Sequence, residues 1–259
     1  MTEPLPPGAT IGILGGGQLG RMLSVAAARL GYRCHIYEPG AAPAADVARA
    51  RTRASYDDAA ALAAFAEAVD VVTYEFENVP AAALDAVEAR APLRPGRLAL
   101  ATAQDRLEEK AFLARLGLAV APHAAVDGAA DLDAALARIG TPAILKTRRL
   151  GYDGKGQARI DAEGDAAGAL AALQGAPALL EGVVPFTAEV SVIVARGLTG
   201  EVVAYDPGEN VHEGGILRRT TVPAALSTAL RTDAALLAGR IVTALDYVGV
   251  LGVELFVTP

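Results

Sequence analysis

Thr10-Ile-Gly-Ile-Leu-Gly-Gly-Gly-Gln-Leu-Gly20 decides the fold. Its short apolar run ends in a glycine cluster and passes into an alanine-rich stretch reaching Leu30, which predicts a strand, a tight turn and a helix. Arg33-Cys-His-Ile-Tyr-Glu38 and Val69-Asp-Val-Val-Thr-Tyr74 predict two further strands. Helices are expected over about 57–68 and 80–90. This alternation argues for a parallel sheet covered by helices. Pro92, Pro95 and Gly96 punctuate the chain and mark the end of a first unit near residue 100.

Beyond that point a helix is expected over about 104–116, with Leu107, Phe112 and Leu116 on one face and Gly117 as its terminating glycine. From Pro142 the pattern turns to strands and hairpins, over about 142–147, 156–160, 177–181, 186–194, 201–206 and 216–222. Short helices are expected near 131–139 and 164–173, and a long one over about 225–245. The long helix leads into an apolar strand, Val248 to Val257, that carries one acidic residue, Glu254.

Composition narrows the class. With 259 residues, 53% of them hydrophobic and 20% charged, the chain can bury a core for two domains or one large α/β domain. A net charge of -7 argues against a nucleic-acid or anionic-membrane partner, because such a surface repels an acidic protein that lacks a separate basic patch. The arginines of Arg49 to Arg53 read as a solvated edge. The lone Cys34 excludes an intrachain disulfide, reads as a small core residue and fits a reducing, cytoplasmic location. Met1 to Thr10 lacks the charged and apolar regions of an export signal, and no span reaches the roughly 18 apolar residues of a membrane helix, so neither export nor membrane insertion is expected.

The chemistry concentrates in Lys146-Thr-Arg-Arg-Leu-Gly-Tyr-Asp-Gly-Lys-Gly-Gln157. A short buried strand ends in a cation, and Gly151, Gly154 and Gly156 can fold backbone N–H groups around anionic oxygens. The chain has only three lysines, Lys110, Lys146 and Lys155, against twenty arginines, so two of its rare ammonium groups lie in this segment. An ammonium on a flexible stem fits between phosphates where a planar guanidinium does not. A glycine-rich hairpin with solvated charges is the bland alternative.

Other candidates stay open on the residues alone. Gly15-x-Gly17-x-x-Gly20 with Glu38 matches the dinucleotide fingerprint, yet the same turn serves any ligand seated on a helix N-terminus. Tyr74-Glu-Phe-Glu-Asn78 places carboxylates at a strand end where open α/β sheets bind ligands; they would accept hydrogen bonds from amino or hydroxyl groups and repel a pyrophosphate, or simply cap a helix. Leu179 to Pro185 reads as a strand breaking into a hinge whose backbone can meet a flat purine edge. Glu189 shares a strand face with Thr187 and Ser191, where it either binds a ribose diol or faces solvent. His212 falls in a polar loop, free to meet phosphate or metal-bound water or to be a plain surface histidine. Glu254 is the best metal-ligand candidate, since Mg²⁺ takes one or two carboxylates plus phosphate oxygens; a side chain pointing to solvent from an edge strand is its alternative.

In series, Gly15-Gly-Gly-Gln-Leu-Gly-Arg-Met22, Tyr74-Glu-Phe-Glu-Asn-Val-Pro80, Gln104-Asp-Arg-Leu-Glu-Glu-Lys110, the Lys146 to Gln157 stretch and Asp246-Tyr-Val-Gly-Val250 before Glu254 resemble the 5-(carboxyamino)imidazole ribonucleotide synthases, ATP-grasp ligases of purine biosynthesis. The resemblance covers the whole chain. It implies an α/β protein with a Rossmann-like domain over 1–103 and an incomplete ATP-grasp α+β domain over 104–259, including a small lid over about 120–185. It implies a cytoplasmic homodimer that uses ATP and Mg²⁺, or Mn²⁺, to join bicarbonate to 5-aminoimidazole ribonucleotide. Arg106, Lys146, Gly151, Tyr152, Asp153, Gly154, Lys155, Gly156, Gln157 and His212 would contact ATP, Glu181, Gly182, Val183 and Val184 would form the adenine hinge, and Glu189 would hold the ribose. Gln18, Leu19, Glu75, Glu77 and Asn78 would face the aminoimidazole nucleotide, and Glu254 would be one of two acidic metal ligands. Lys146, Tyr152, Asp153 and Lys155 would serve catalysis, the last three by positioning bicarbonate. In that family a further strand with an Asn-Glu pair and a loop with Arg and His follow the point where this sequence stops, so the 259 residues alone are expected to bind ATP weakly at best and not to turn over. Rival readings are a formate-dependent glycinamide ribonucleotide transformylase, an NAD(P)-dependent oxidoreductase and a non-catalytic nucleotide-binding module.

Overall fold

The computed structural model describes residues 4–151 and 155–259. The chain forms two compact units. In the first, β1 (Thr10–Leu14), α1 (Gln18–Arg29), β2 (Arg33–Tyr37), β3 (Ala50–Thr52), α2 (Ala59–Glu67), β4 (Val71–Tyr74) and α3 (Ala81–Glu88) follow one another, and α4 (Arg97–Gln104) begins in this unit. The sheet is parallel in the order β3-β2-β1-β4. Alternation splits its residues between two cores. Leu14, Tyr37 and Val72 pack with Leu62 and Phe65 of α2 and Leu84 and Val87 of α3, while Ile13, Cys34 and Ile36 lie in a second cluster joined by Ala27 of α1. Cys34 is the core residue its surroundings predicted, and burial pushes its thiol up despite a lowering hydrogen bond with Ser24.

The second unit opens with α5 (Arg106–Arg115), followed by β5 (His123–Val126), α6 (Ala129–Ile139), β6 (Ala143–Thr147), β7 (Gln157–Ile160), α7 (Ala166–Ala172) and β8 (Ala178–Gly182). Here β5, β8, β6 and β7 make an antiparallel sheet in that order. Its inward residues Val126, Ala143, Leu145, Ile160, Ala178 and Leu180 pack on Leu132 and Leu136 of α6 and Ala166 and Ala169 of α7. A second antiparallel array contains β9 (Ala188–Arg196), β10 (Val202–Ala204), β11 (Gly208–Glu213), β12 (Ile216–Thr221), α8 (Thr228–Ala244) and β13 (Gly249–Val257). Along β9 the buried Val190, Val192 and Val194 alternate with Glu189, Ser191 and Ile193. The helix α8 packs against this strand.

The expected order of strands and helices stands, with four differences. Residues 97–104 are a separate helix, because Asp105 caps a new one and interrupts the run. The short β3 and β5 carry little apolar alternation and were not foreseen. His212 lies in β11 and not in a loop: the inward residue beside it is Asn210, whose buried carboxamide oxygen accepts from Thr220 Oγ1 at 2.9 Å, so a polar group occupies the place where a strand normally shows an apolar one.

Candidate functional site

In the first unit the register explains the carboxylates. Leu14 is opposite Tyr37 on one side and Tyr74 on the other, so the next residues, Gly15, Glu38 and Glu75, leave the sheet at one edge. Gly15 has φ +112, and a Cβ there would meet Glu75 Cγ and the Phe76 amide nitrogen at 2.8 Å. Only glycine lets the chain pass so close in that conformation. The Gly17 N–H donates to Glu75 Oε1 at 2.5 Å, and Glu38 accepts from Gly16 N at 3.2 Å and Gly40 N at 2.7 Å. The amides that a dinucleotide pyrophosphate would use therefore hold the protein's own anions, which complement the positive end of α1. Tyr56 stacks on Phe76 with centroids 5.7 Å apart, and burial first, then the charges of Glu38 and Glu75, push its phenol far above the usual range. Gln18, Leu19 and Glu77 are exposed and Asn78 half-buried.

The second unit assembles the cationic site. Asp105 is the N-cap of α5: it accepts from Leu107 N at 3.0 Å and takes a two-point grip from Arg148, Nε at 3.1 Å and Nη2 at 2.7 Å. Arg106 N donates to Arg148 O at 3.0 Å. This locks the start of α5 to the end of β6. The Arg106 guanidinium then donates to Thr147 O at 3.2 Å and Gly151 O at 3.1 Å, fastening the neck of the glycine loop. Thr147 N donates to Gly156 O at 2.8 Å, and Gly156 has φ +67 with Thr147 Oγ1 2.6 Å from where a Cβ would stand. Lys155 follows directly on the undescribed stretch, and Gln157 opens β7. The calls on Tyr152, Asp153 and Gly154 lie outside the described residues.

Lys146 and Glu181 lie on the sheet face opposite α6 and α7, because both alternate with core residues. The Glu181 carboxylate bridges two ammonium groups: Oε2 meets Lys146 Nζ at 2.6 Å and Oε1 meets Lys110 Nζ at 3.0 Å. Burial alone would raise this carboxyl, and Lys146 and Lys110 together overcome that and hold it below its ordinary value. The hinge continues through Gly182 and Val183, whose N–H groups donate to Pro122 O at 2.8 Å and Pro142 O at 3.2 Å, and then Val184. Lys110 and Thr147 had no assigned role in the sequence reading. Rarity of lysine singled out Lys110 but could not say what it touches.

In the other sheet of this unit, His212 Nδ1 meets the Glu189 carboxylate across β9 and β11. Glu254 is exposed on β13. Ile193 approaches the missing side chain of Gly252, so alternation puts Glu254 on the same sheet face as Ile193 and Glu189. Among the described residues no three His, Cys, Asp or Glu side chains gather to hold a metal. One accessible carboxylate still suits Mg²⁺, which takes one or two carboxylates and completes its shell with phosphate oxygens and water.

Comparison with known proteins gives this geometry a family. Residues 8–104 match the ribonucleotide synthetase preATP-grasp domain and residues 111–259 the ATP-grasp domain. The N5-carboxyaminoimidazole ribonucleotide synthase of Brucella melitensis is 54% identical over 256 residues, which are 98% of this chain and 71% of that protein. The chain belongs to the N5-carboxyaminoimidazole ribonucleotide synthases, a family of ATP-grasp ligases. Among solved members of this family, the ADP complex of an N5-carboxyaminoimidazole ribonucleotide synthetase superposes with a TM-score of 0.94 at 42% identity, covering 100% of this chain and 69% of that one. The synthase of Aspergillus clavatus, solved with ADP and 5-aminoimidazole ribonucleotide, gives 0.87 at 32% identity over 96% of this chain and 66% of that one.

Proposed function

We propose that this protein carboxylates 5-aminoimidazole ribonucleotide with bicarbonate at the expense of ATP, releasing ADP and phosphate, in purine biosynthesis. The observation that carries the reading is the Lys110-Glu181-Lys146 cluster beside a glycine loop whose neck is fastened by Arg106, in a chain of this family. The filled N-terminus of α1 supports it further, since Glu38 and Glu75 leave no cradle for a nicotinamide dinucleotide.

In the proposed reaction a bicarbonate oxygen attacks the γ-phosphorus while the bond to ADP breaks, giving carboxyphosphate. Its carboxyl group, or CO₂ released from it, is captured by the exocyclic amine, and phosphate departs. Charge is spread over the phosphoryl oxygens during transfer, so the protein's task is electrostatic. Lys146 and the amides of the Gly151 to Gln157 loop would face the phosphates, and Arg106 would hold that loop in place. The hinge from Glu181 to Val184 would take the adenine, Glu189 the ribose with His212 beside it, and Tyr152, Asp153 and Lys155 the bicarbonate. Glu254 would hold Mg²⁺ or Mn²⁺, which neutralises charge between the phosphates when bound. Gln18, Leu19, Glu75, Glu77 and Asn78 would serve the aminoimidazole nucleotide. Family resemblance supports a cytoplasmic homodimer, which sedimentation of the purified protein tests.

The deciding experiment measures ADP release by the full-length protein with bicarbonate and 5-aminoimidazole ribonucleotide omitted in turn. Release that requires both is expected. Release stimulated instead by glycinamide ribonucleotide and formate, or binding of NADPH in preference to Mg·ATP, would sink the reading.

A further inference from the structure

We infer that Lys110 is a positioning residue for Lys146, acting through the shared carboxylate of Glu181. The inference rests on the reading of Lys146 as a nucleotide-phosphate contact. Three elements build the cluster. Lys110 comes from α5, Lys146 from β6 and Glu181 from β8, and the side chains of all three are largely buried, Lys110 and Glu181 at 11% exposure each and Lys146 at 21%. A charge so placed is costly unless it is paired.

Stoichiometry gives the pairing its purpose. A carboxylate facing one ammonium alone would engage it with both oxygens and cancel its charge. Here each oxygen of Glu181 has its own partner, so among the described residues one ion pair holds Lys146, and an ammonium has three donors. The triad carries one net positive charge where a Lys146-Glu181 pair would carry none. Glu109 of α5 lies within the field of this cluster: burial pushes its carboxyl up and Glu181 adds to that rise, while Lys110, Arg106 and Lys146 pull it down. The mount of α5 makes the arrangement stiff. Lys110 lies one helical turn after Arg106, on the same face. The helix start is tied to β6 through Asp105, Arg148 and the Arg106 amide. One helix thus delivers a cation to the loop neck and another to the carboxylate that aims Lys146.

The test compares Lys110→Met, Lys110→Arg and the double variant Lys110→Met with Glu181→Gln in the full-length protein, by steady-state kinetics and thermal unfolding. In Lys110→Met, Glu181 is expected to claim Lys146 with both oxygens, raising KM for ATP by about tenfold, the scale of one charged hydrogen bond, with KM for the ribonucleotide unmoved. Lys110→Arg should recover most of that loss, since a guanidinium also holds a carboxylate. The double variant should bind ATP more tightly than Lys110→Met, because the competing charge is gone. Should Lys110→Met not fold, Lys110→Gln makes the same comparison with a polar neutral side chain. An ATP KM unmoved in the neutral variant, or a double variant no better than Lys110→Met, overturns the inference. Failure of the wild-type protein to release ADP in response to both substrates would instead remove the functional reading beneath it.

Discussion

The chain has two glycine-rich loops that look alike as sequence and that the structure uses in opposite ways. Gly15 to Gly20 opens α1, and its amides meet Glu38 and Glu75 from the neighbouring strand ends. The second loop follows β6, and its described neighbours are largely cationic: Arg106 donates to Gly151 at the neck, Lys146 and Glu181 lie on the adjoining sheet face, and Lys110 reaches Glu181 from α5. The lesson concerns neighbours. Glycines free a backbone to wrap an anion, but the residues that adjacent strands bring to the same edge decide whether that anion is a ligand or a side chain of the protein.

The largest break in the comparison comes from Lys146→Met, expected to lower kcat/KM for ATP by roughly 10²–10³, the usual loss when a preorganised charge stabiliser is removed. Assays of ADP release with both substrates measure it, and a loss under tenfold would contradict the cationic reading of the second loop. Gly156→Ala comes next. Its Cβ must enter a left-handed conformation against Thr147 Oγ1, so about 1–3 kcal/mol of local strain is expected, read as a raised KM for ATP. At the first loop, Glu75→Gln should cost about 1–2 kcal/mol of unfolding free energy through loss of a charged hydrogen bond to a helix N-terminus, and should leave NADPH unbound. Denaturant unfolding and a calorimetric titration check the two parts.

Acid sharpens the contrast from another side. Burial alone would raise both carboxyls, yet Lys146 and Lys110 hold Glu181, and the Arg148 and Leu107 hydrogen bonds hold Asp105, below their ordinary values of 4.5 and 3.8. Their stabilisation is fully present above pH 4.5 and is lost as pH falls through the lowered folded values. Melting temperature followed downward from pH 6 should fall in that window, and less steeply in Glu181→Gln. The smallest effect is expected of Arg149→Ala. Its guanidinium is 57% exposed and 3.9 Å from Asp105, a geometry worth about 0.5 kcal/mol or less.

Legibility followed the strength of local periodicity. The β1 and α1 pair, α6, α8 and β13 show long apolar repeats, and the sequence reading located them within a few residues. The 3-residue β3 has too few positions to show a period. In β11 the inward place belongs to Asn210, satisfied by a hydroxyl from β12, so the strand reads as a polar loop. Lysine scarcity marks Lys146 and Lys155, and alternation along the segment puts Glu189 on the face of Thr187 and Ser191. The pairing of Glu189 with His212 depends on antiparallel register, which no single segment contains.

From its residues alone, this chain determined its strongly periodic strands and helices, where backbone must turn through glycine, and which few ammonium groups were available for phosphate. Tertiary structure decided which anion meets which glycine loop, and that Lys110, 36 positions before Lys146, shares its carboxylate. The physical reason is range: backbone conformation is set by neighbours a few residues apart, whereas ion pairing within a buried cluster is set by which strand ends and helix faces the whole fold brings within about 3 Å.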